Sequence, residues 1–129
     1  QRVATSIVGV DTMLNAMEKH HENPTVQWRL SFAIANVLSL NPVGRRTFGK
    51  RSVELVLLNM KKYQQDDKLQ LWCCNALYQL IIGNTKNLDV ALTEGGITIV
   101  LETQKLYEHS KNKKVYHASE RVINLLWEF

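Results

Sequence analysis

A chain of 129 residues with 45% apolar residues, only six Gly and two Pro fits one domain able to bury a core, and excludes collagen-like and disordered classes. No apolar run approaches the roughly 18 residues of a membrane helix. The net charge of +4, from 16 basic and 12 acidic residues, mildly favours acidic partners but lacks the basic stripe with interleaved aromatics of a dedicated nucleic-acid binder.

Residues 1–8 (QRVATSIV) read as the first helix of a unit whose beginning is missing. With Gln1 rather than Met at the start and no signal-peptide pattern, the chain reads as an excised fragment. Gly9 is expected to separate this piece from a helical stripe of Val10, Met13, Leu14 and Met17. After the polar turn EKHHEN, Asn23-Pro24 carries a helix-start signal, Asn as N-cap and Pro at the first helical position. The helix that follows places Val26, Leu30, Ala33, Ile34, Val37 and Leu38 on one face. Asn41-Pro42 repeats the device and predicts a short helix around Val43 to Phe48, closed by Gly49 to Ser52.

The order then repeats. Val53, Val56, Leu57 and Met60 reproduce the first stripe at a displacement of 43. After KKYQQDD, with Asp66 or Asp67 as N-cap, the stretch from Asp67 to Ile82 carries Leu69, Cys73, Ala76, Leu77, Leu80 and Ile81 at the same displacement. Asn84 to Asn87 reads as a loop, Leu88 to Thr93 as a short helix and Glu94-Gly95-Gly96 as a stop, the paired glycines supplying a left-handed helix end. A third unit opens with Ile97, Val100 and Leu101 at a displacement of 44, and its last helix carries Val115, Ser119, Val122, Ile123 and Leu126 at a displacement of 46. A displacement of 45 would bury Lys114 and Arg121, and burying unpaired charge is costly. No strand alternation competes, so the expected fold is all-α with a period of about 43–44 residues: unit 1 over 10–52, unit 2 over 53–96 and an incomplete unit 3 over 97–129.

Adjacent Cys73 and Cys74 point different ways on a helix and cannot form an ordinary disulfide with each other. They read as free thiols packed in a core, which favours a reducing setting: the cytoplasm, with the nucleus as alternative. His20-His21 lies far from them with no ligand spacing, so no metal is expected. The chain has no Gly-rich phosphate loop and no Ser–His or Cys–His spacing, so neither a cofactor nor catalysis is expected.

Period, glycine placement and the third-helix pattern together resemble armadillo repeats, whose units of about 42 residues hold three helices. The stretches VQWRLSFAIANVL (Val26 to Leu38) and LQLWCCNALYQLI (Leu69 to Ile81) are similar to that family's third helix, and Glu94-Gly95-Gly96-Ile97 to its junction between first and second helices. The resemblance covers nearly the whole chain. It implies an α–α superhelix, an armadillo-type solenoid whose third helices line a concave groove, and a non-enzymatic role in binding a protein or peptide there.

Peptide-binding members often place a Trp and, four residues later, an Asn on the third helix. Those positions here hold Phe32 and Asn36 in unit 1, Asn75 and Gln79 in unit 2, and Arg121 and Leu125 in unit 3. No unit carries both family residues, a departure from the pattern that reads basic localisation signals. The groove is expected to present Arg29, Phe32, Asn36, Trp72, Asn75, Gln79 and Arg121, with Trp28 packed into the core and Trp127 in core or cap. Two basic clusters, Arg45 and Arg46 with Lys50 and Arg51, and Lys111, Lys113 and Lys114, are read as solvated faces or as contacts for an acidic partner. The alternative role is structural, with self-association through apolar end faces; a weaker one is binding of acidic surfaces or nucleic acid.

Overall fold

The computed structural model describes residues 2–128, with side chains from residue 9 onward. Among the described residues it is all-helical, without a strand: α1 (Arg2–Lys19), α2 (Pro24–Leu40), a 3-10 turn (Pro42–Arg46), α3 (Lys50–Lys62), α4 (Asp67–Ile81), α5 (Thr85–Thr93), α6 (Gly96–Tyr107) and α7 (Lys114–Trp127). No helix among them is long and apolar enough to cross a membrane.

Local chemistry sets the helix starts. Asn23 Oδ1 accepts from the Val26 amide at 3.2 Å, with Pro24 in the first turn of α2. Asp66, not Asp67, caps α4, its Oδ1 accepting from the Leu69 amide at 3.1 Å. Asn84 caps α5 through the Asn87 amide at 2.9 Å, so this helix begins at Thr85, earlier than its apolar residues suggest. Gly95, at φ +81°, turns the chain from α5 into α6.

Two expectations fail locally. Gly9 does not interrupt the first helix, which runs unbroken from Arg2 to Lys19: a lone glycine with no capping or turn residues beside it lowers helix stability without ending the helix. The segment after Asn41-Pro42 forms only a 3-10 turn to Arg46, and Phe48 beyond it is buried.

α4 is the centre of the packing, set against α2 on one side and α7 on the other, with α3 and α5 also touching it. It is accordingly buried on two edges. Leu69, Cys73, Ala76 and Leu80 belong to one, and the 3.6 Å approach of Cys73 Sγ to Ser31 Oγ places that edge against α2. Gln70 and Cys74, with Ile81, form a second buried edge, and of these three apolar spacing marked only Ile81.

On α2 the buried set is Gln27, Ser31, Ile34, Ala35 and Leu38. Only Ile34 and Leu38 of the expected inner face are fully buried; Val26, Leu30 and Ala33 are half-buried and Val37 is 40% exposed. The reason is positional. These four residues are the equivalents of Leu69, Cys73, Ala76 and Leu80, but α2 has no neighbouring helix playing the part that α2 plays for α4. On α7, Val115, Ser119, Val122 and Leu126 are buried while Lys114 and Arg121 are exposed. The buried four stand 46 residues from buried Leu69, Cys73, Ala76 and Leu80 and 45 from buried Gln70, Cys74, Leu77 and Ile81, so burial fits either displacement. Leu101, expected in the stripe of α6, is exposed, and Trp127 is 66% exposed rather than in the core.

Polar side chains stitch the helices at the same period. The Tyr63 hydroxyl donates to the His21 carbonyl at 2.6 Å, and the Tyr107 hydroxyl to the Gln64 carbonyl at 2.9 Å. α1 and α3 are joined at the surface by Arg51, whose Nε and Nη2 donate to Glu18 at 3.0 and 2.6 Å. This pairing holds the Glu18 carboxyl below its ordinary range and the Arg51 guanidinium above its own.

Candidate functional site

Because α2 and α4 run side by side in a register of 43 residues, equivalent outward positions form rows. Arg29 matches Trp72, Phe32 matches Asn75 and Asn36 matches Gln79, and Arg121 is added from α7. Two adjoining depressions lie along these rows. One, of about 560 Å³, is lined by Trp28, Arg29, Phe32, Lys68 and Trp72. The other, of about 190 Å³, is lined by Ala35, Asn36, Ser39, Trp72, Asn75, Gln79 and Arg121. Trp72 is the wall they share. All seven residues singled out in the sequence for a groove line one depression or the other.

The aromatic part is built on one ring pair. Phe32 and Trp72 meet edge to face, with centroids 4.5 Å apart and planes at 88°. Phe32 is 38% exposed, so the pair presents a flat apolar surface to solvent. Trp28, expected in the core, is only partly buried and helps line the larger depression. Two cations sit by its ring: Lys68 Nζ at 4.9 Å from the centroid and the Arg29 guanidinium at 5.6 Å. Gln27 next to it is buried, its amide donating to the Met17 and His20 carbonyls at the C-terminal end of α1.

The polar part lies at the C-terminal ends of α2 and α4. Among the described residues no hydrogen bond engages the side-chain amide of Asn36 or Asn75; the Asn36 carbonyl accepts from Ser39 Oγ at 3.1 Å. Gln79 is different. Arg45 Nη2 donates to its Oε1 at 2.8 Å, Arg45 Nε donates to its backbone carbonyl, and Arg45 Nη1 donates to the Pro42 carbonyl at 3.3 Å. Arg45 is therefore half-buried and engaged within the chain, whereas the sequence placed it among contacts for an acidic partner. The Arg121 guanidinium stacks on the Tyr78 ring, 4.0 Å from its centroid. Neither depression is lined by a carboxylate, and Arg29, Lys68 and Arg121 give both a positive character.

The other basic residues lie apart. Arg46 is exposed and shares a separate depression of about 570 Å³ with Lys50 and Lys86. Lys111, Lys113 and Lys114 are exposed in the turn between α6 and α7, where Lys113 donates to the Glu108 carbonyl and lies 5.5 Å from the Tyr116 ring centroid.

Reactive groups are withdrawn from the surface. Cys73 and Cys74 are fully buried, and burial pushes the Cys73 thiol up to about 12 and raises that of Cys74 as well. Trp28, Ala35, Ser39 and Lys68 are the lining residues that sequence reasoning did not select. For Trp28 and Lys68 a signal existed, since they stand four residues before Phe32 and Trp72, the spacing of neighbours on a helix surface.

Compared with protein-family models, with curated proteins and with solved structures, the chain matches none.

Proposed function

We propose that this chain is a non-enzymatic interaction module, a stack of armadillo-type repeats that holds an extended polypeptide along the surface of α2, α4 and α7. One observation carries the reading: Arg29, Phe32, Asn36, Trp72, Asn75, Gln79 and Arg121, drawn from three helices, line two depressions that share Trp72. The chemistry suits a polypeptide. The Phe32–Trp72 pair gives a preformed apolar wall, and the amides of Asn36 and Asn75 can each donate to and accept from a peptide backbone. An extended peptide exposes unpaired N–H and C=O groups at each residue, and such amides answer both.

The repeat reading is supported by bonds that recur at the sequence period, at the surface by Tyr63 and Tyr107 and in the interior by Gln27 and Gln70. Stacked units of this kind bury their apolar faces on each other rather than within themselves.

The test uses the chain with Trp72→Ala and Asn36→Ala together. A displayed library of linear peptides is selected on the parent chain, and the enriched peptides are measured on both. The double variant is expected to lose capture while its helical circular dichroism and melting temperature hold. Undiminished capture by the double variant would refute the groove.

A second reading has its own support at the free edge of α2. Val26, Leu30, Ala33 and Val37 are half-buried or exposed where their equivalents on α4 are packed against a neighbour, and Leu40 beside them is 86% exposed. A depression of about 250 Å³ adjoins this edge, lined by Val10, Met13, Val37 and Phe48 among others. A second copy, offering a helix as α2 offers itself to α4, would cover that edge. Sedimentation decides it: mass rising with concentration supports stacking, and a monomer at high concentration removes it.

A further inference from the structure

We infer that the smaller depression is a carboxylate subsite: the chain selects an extended polypeptide bearing an Asp or Glu side chain, held by Gln79 and Arg121, with Arg45 as the positioning residue. The inference rests on the polypeptide reading above and narrows it to one ligand class.

The geometry begins with Arg45. A guanidinium only donates, so the Gln79 atom it meets at 2.8 Å must be the amide oxygen. That bond, together with the one from Arg45 Nε to the Gln79 carbonyl, fixes the side chain by its acceptor end. What Gln79 has left is its NH2 group. With its oxygen already engaged by Arg45, the amide has both of its N–H donors unspent in this depression.

Arg121 adds to the same polarity. Its guanidinium carbon lies over the Tyr78 ring, 4.0 Å from the centroid, a cation–π contact that consumes no N–H donor and leaves these groups for an acceptor. Among the described residues no carboxylate pairs with it; the neighbouring Glu120 lies 3.7 Å from His117 instead. The lining holds no acidic side chain that would compete for these donors or repel a carboxylate. A depression of about 190 Å³ takes a side-chain carboxylate but not a bulky aromatic together with its solvation. Next to it, across Trp72, the larger depression adds Arg29 and Lys68, so acidic residues on both sides of an apolar one would fit the strip.

The experiment uses the library selection described above, followed by each enriched peptide and its Asp→Asn or Glu→Gln counterpart measured by fluorescence polarisation. Enriched peptides are expected to carry an acidic residue, and neutralising it should weaken binding about tenfold or more, the scale of a charge-assisted hydrogen bond. Arg121→Gln should abolish this discrimination. Arg45→Met should lower it by releasing the Gln79 amide to turn, while binding of the neutral peptide is kept. If Arg45→Met does not fold, Gln79→Glu serves: its carboxylate keeps the Arg45 partner and should reverse the preference towards the neutral peptide.

Peptides captured by the parent chain and lost with Trp72→Ala, yet indifferent to neutralisation, would overturn the carboxylate subsite and leave the groove standing. No enrichment on the parent chain over Trp72→Ala would overturn both.

Discussion

Gln27 and Gln70, 43 residues apart, make the same set of bonds. The Gln27 amide donates to the carbonyls of Met17 and His20 at 3.1 and 2.8 Å, and its oxygen accepts from Asn59 Nδ2 at 2.8 Å. The Gln70 amide donates to the carbonyls of Met60 and Tyr63, both at 3.0 Å, and its oxygen accepts from Thr103 Oγ1 at 2.9 Å. Each glutamine thus closes the open end of the helix before it and reaches into the helix of the next unit, α3 for Gln27 and α6 for Gln70. A long polar side chain with no exposure is stable here because every group it carries is bonded.

Removing one of these glutamines should cost more than a surface change. Gln70→Leu keeps the volume but removes a partner from the Met60 and Tyr63 carbonyls and from the Thr103 hydroxyl, of which Tyr63 keeps the Asp66 amide and Thr103 the Ile99 carbonyl, a loss of about 1–3 kcal/mol. Thr103→Val removes only one partner and should cost about 1–2 kcal/mol. The two effects should be less than additive, because they share a bond. Urea unfolding of the single and double variants measures all three. A change in Gln70→Leu below about 0.5 kcal/mol, the range of ordinary surface substitutions, would show that water replaces these bonds without penalty.

Much of the fold could be read from apolar spacing, because α4 and its equivalents repeat one stripe and the starts of α2 to α6 carry Asn, Asp or Gly. The buried partners of that stripe were harder to read. Gln27, Gln70 and Ser31 look polar in sequence, and only the carbonyls and thiol they meet in three dimensions justify their burial. The same limit applies to the candidate site. Periodicity placed Trp72, Asn75 and Gln79 outward, but nothing in a linear pattern brings Arg45, from the 3-10 turn, onto Gln79. Val37 and Leu101 failed for the opposite reason: their spacing marks a packed face, and whether a neighbour covers it depends on position in the fold.

Two glycines in helical segments should respond in opposite directions. A Cβ on Gly96 would lie 2.6 Å from the Ala91 carbonyl oxygen and 3.2 Å from its carbon, both backbone atoms that cannot rotate away. Gly96→Ala should therefore destabilise the chain by about 1–3 kcal/mol through overpacking at the junction of α5 and α6. At Gly9, inside α1, a Cβ meets nothing within 4 Å. Gly9→Ala should stabilise by roughly 0.5–1 kcal/mol, the helix-propensity difference. Thermal melts of both variants test the pair, and a destabilised Gly9→Ala would contradict the continuous α1.

On the acid side, the Glu18–Arg51 pair contributes in one direction only. The Glu18 carboxyl is held low in the folded chain, so the folded state binds fewer protons than the unfolded one as Glu18 titrates. Its contribution is present above the ordinary carboxylate range and is lost as the pH falls through the lowered value. Both groups are at the surface, so the effect should be small and should shrink further with salt. Comparing the parent with Glu18→Gln between neutral and acid pH, at low and high salt, checks it. A difference that does not narrow on acidification would show that the pair is not what separates them.

The buried thiols govern the alkaline side. Burial pushes Cys73 up to about 12 and raises Cys74 too, while unfolded thiols ionise near about 8.5. Between those values the folded state retains protons that the unfolded state has released, so stability is fully present below about pH 8.5 and falls as the pH rises towards 12. Each thiol can contribute a slope of roughly 1 kcal/mol per pH unit in that window. Tyr107, also pushed up to about 12 chiefly by burial, adds to the upper part of it. Replacing both cysteines with Ala should leave a chain less stable at neutral pH, because two buried side chains shrink, but with a flatter alkaline profile. Labelling gives an independent reading: at pH 8 a thiol reagent should leave the folded chain unmodified and add two groups per chain in urea. Rapid labelling of the folded chain would mean that α4 opens locally, and the stability difference between the two pH values would then vanish with it.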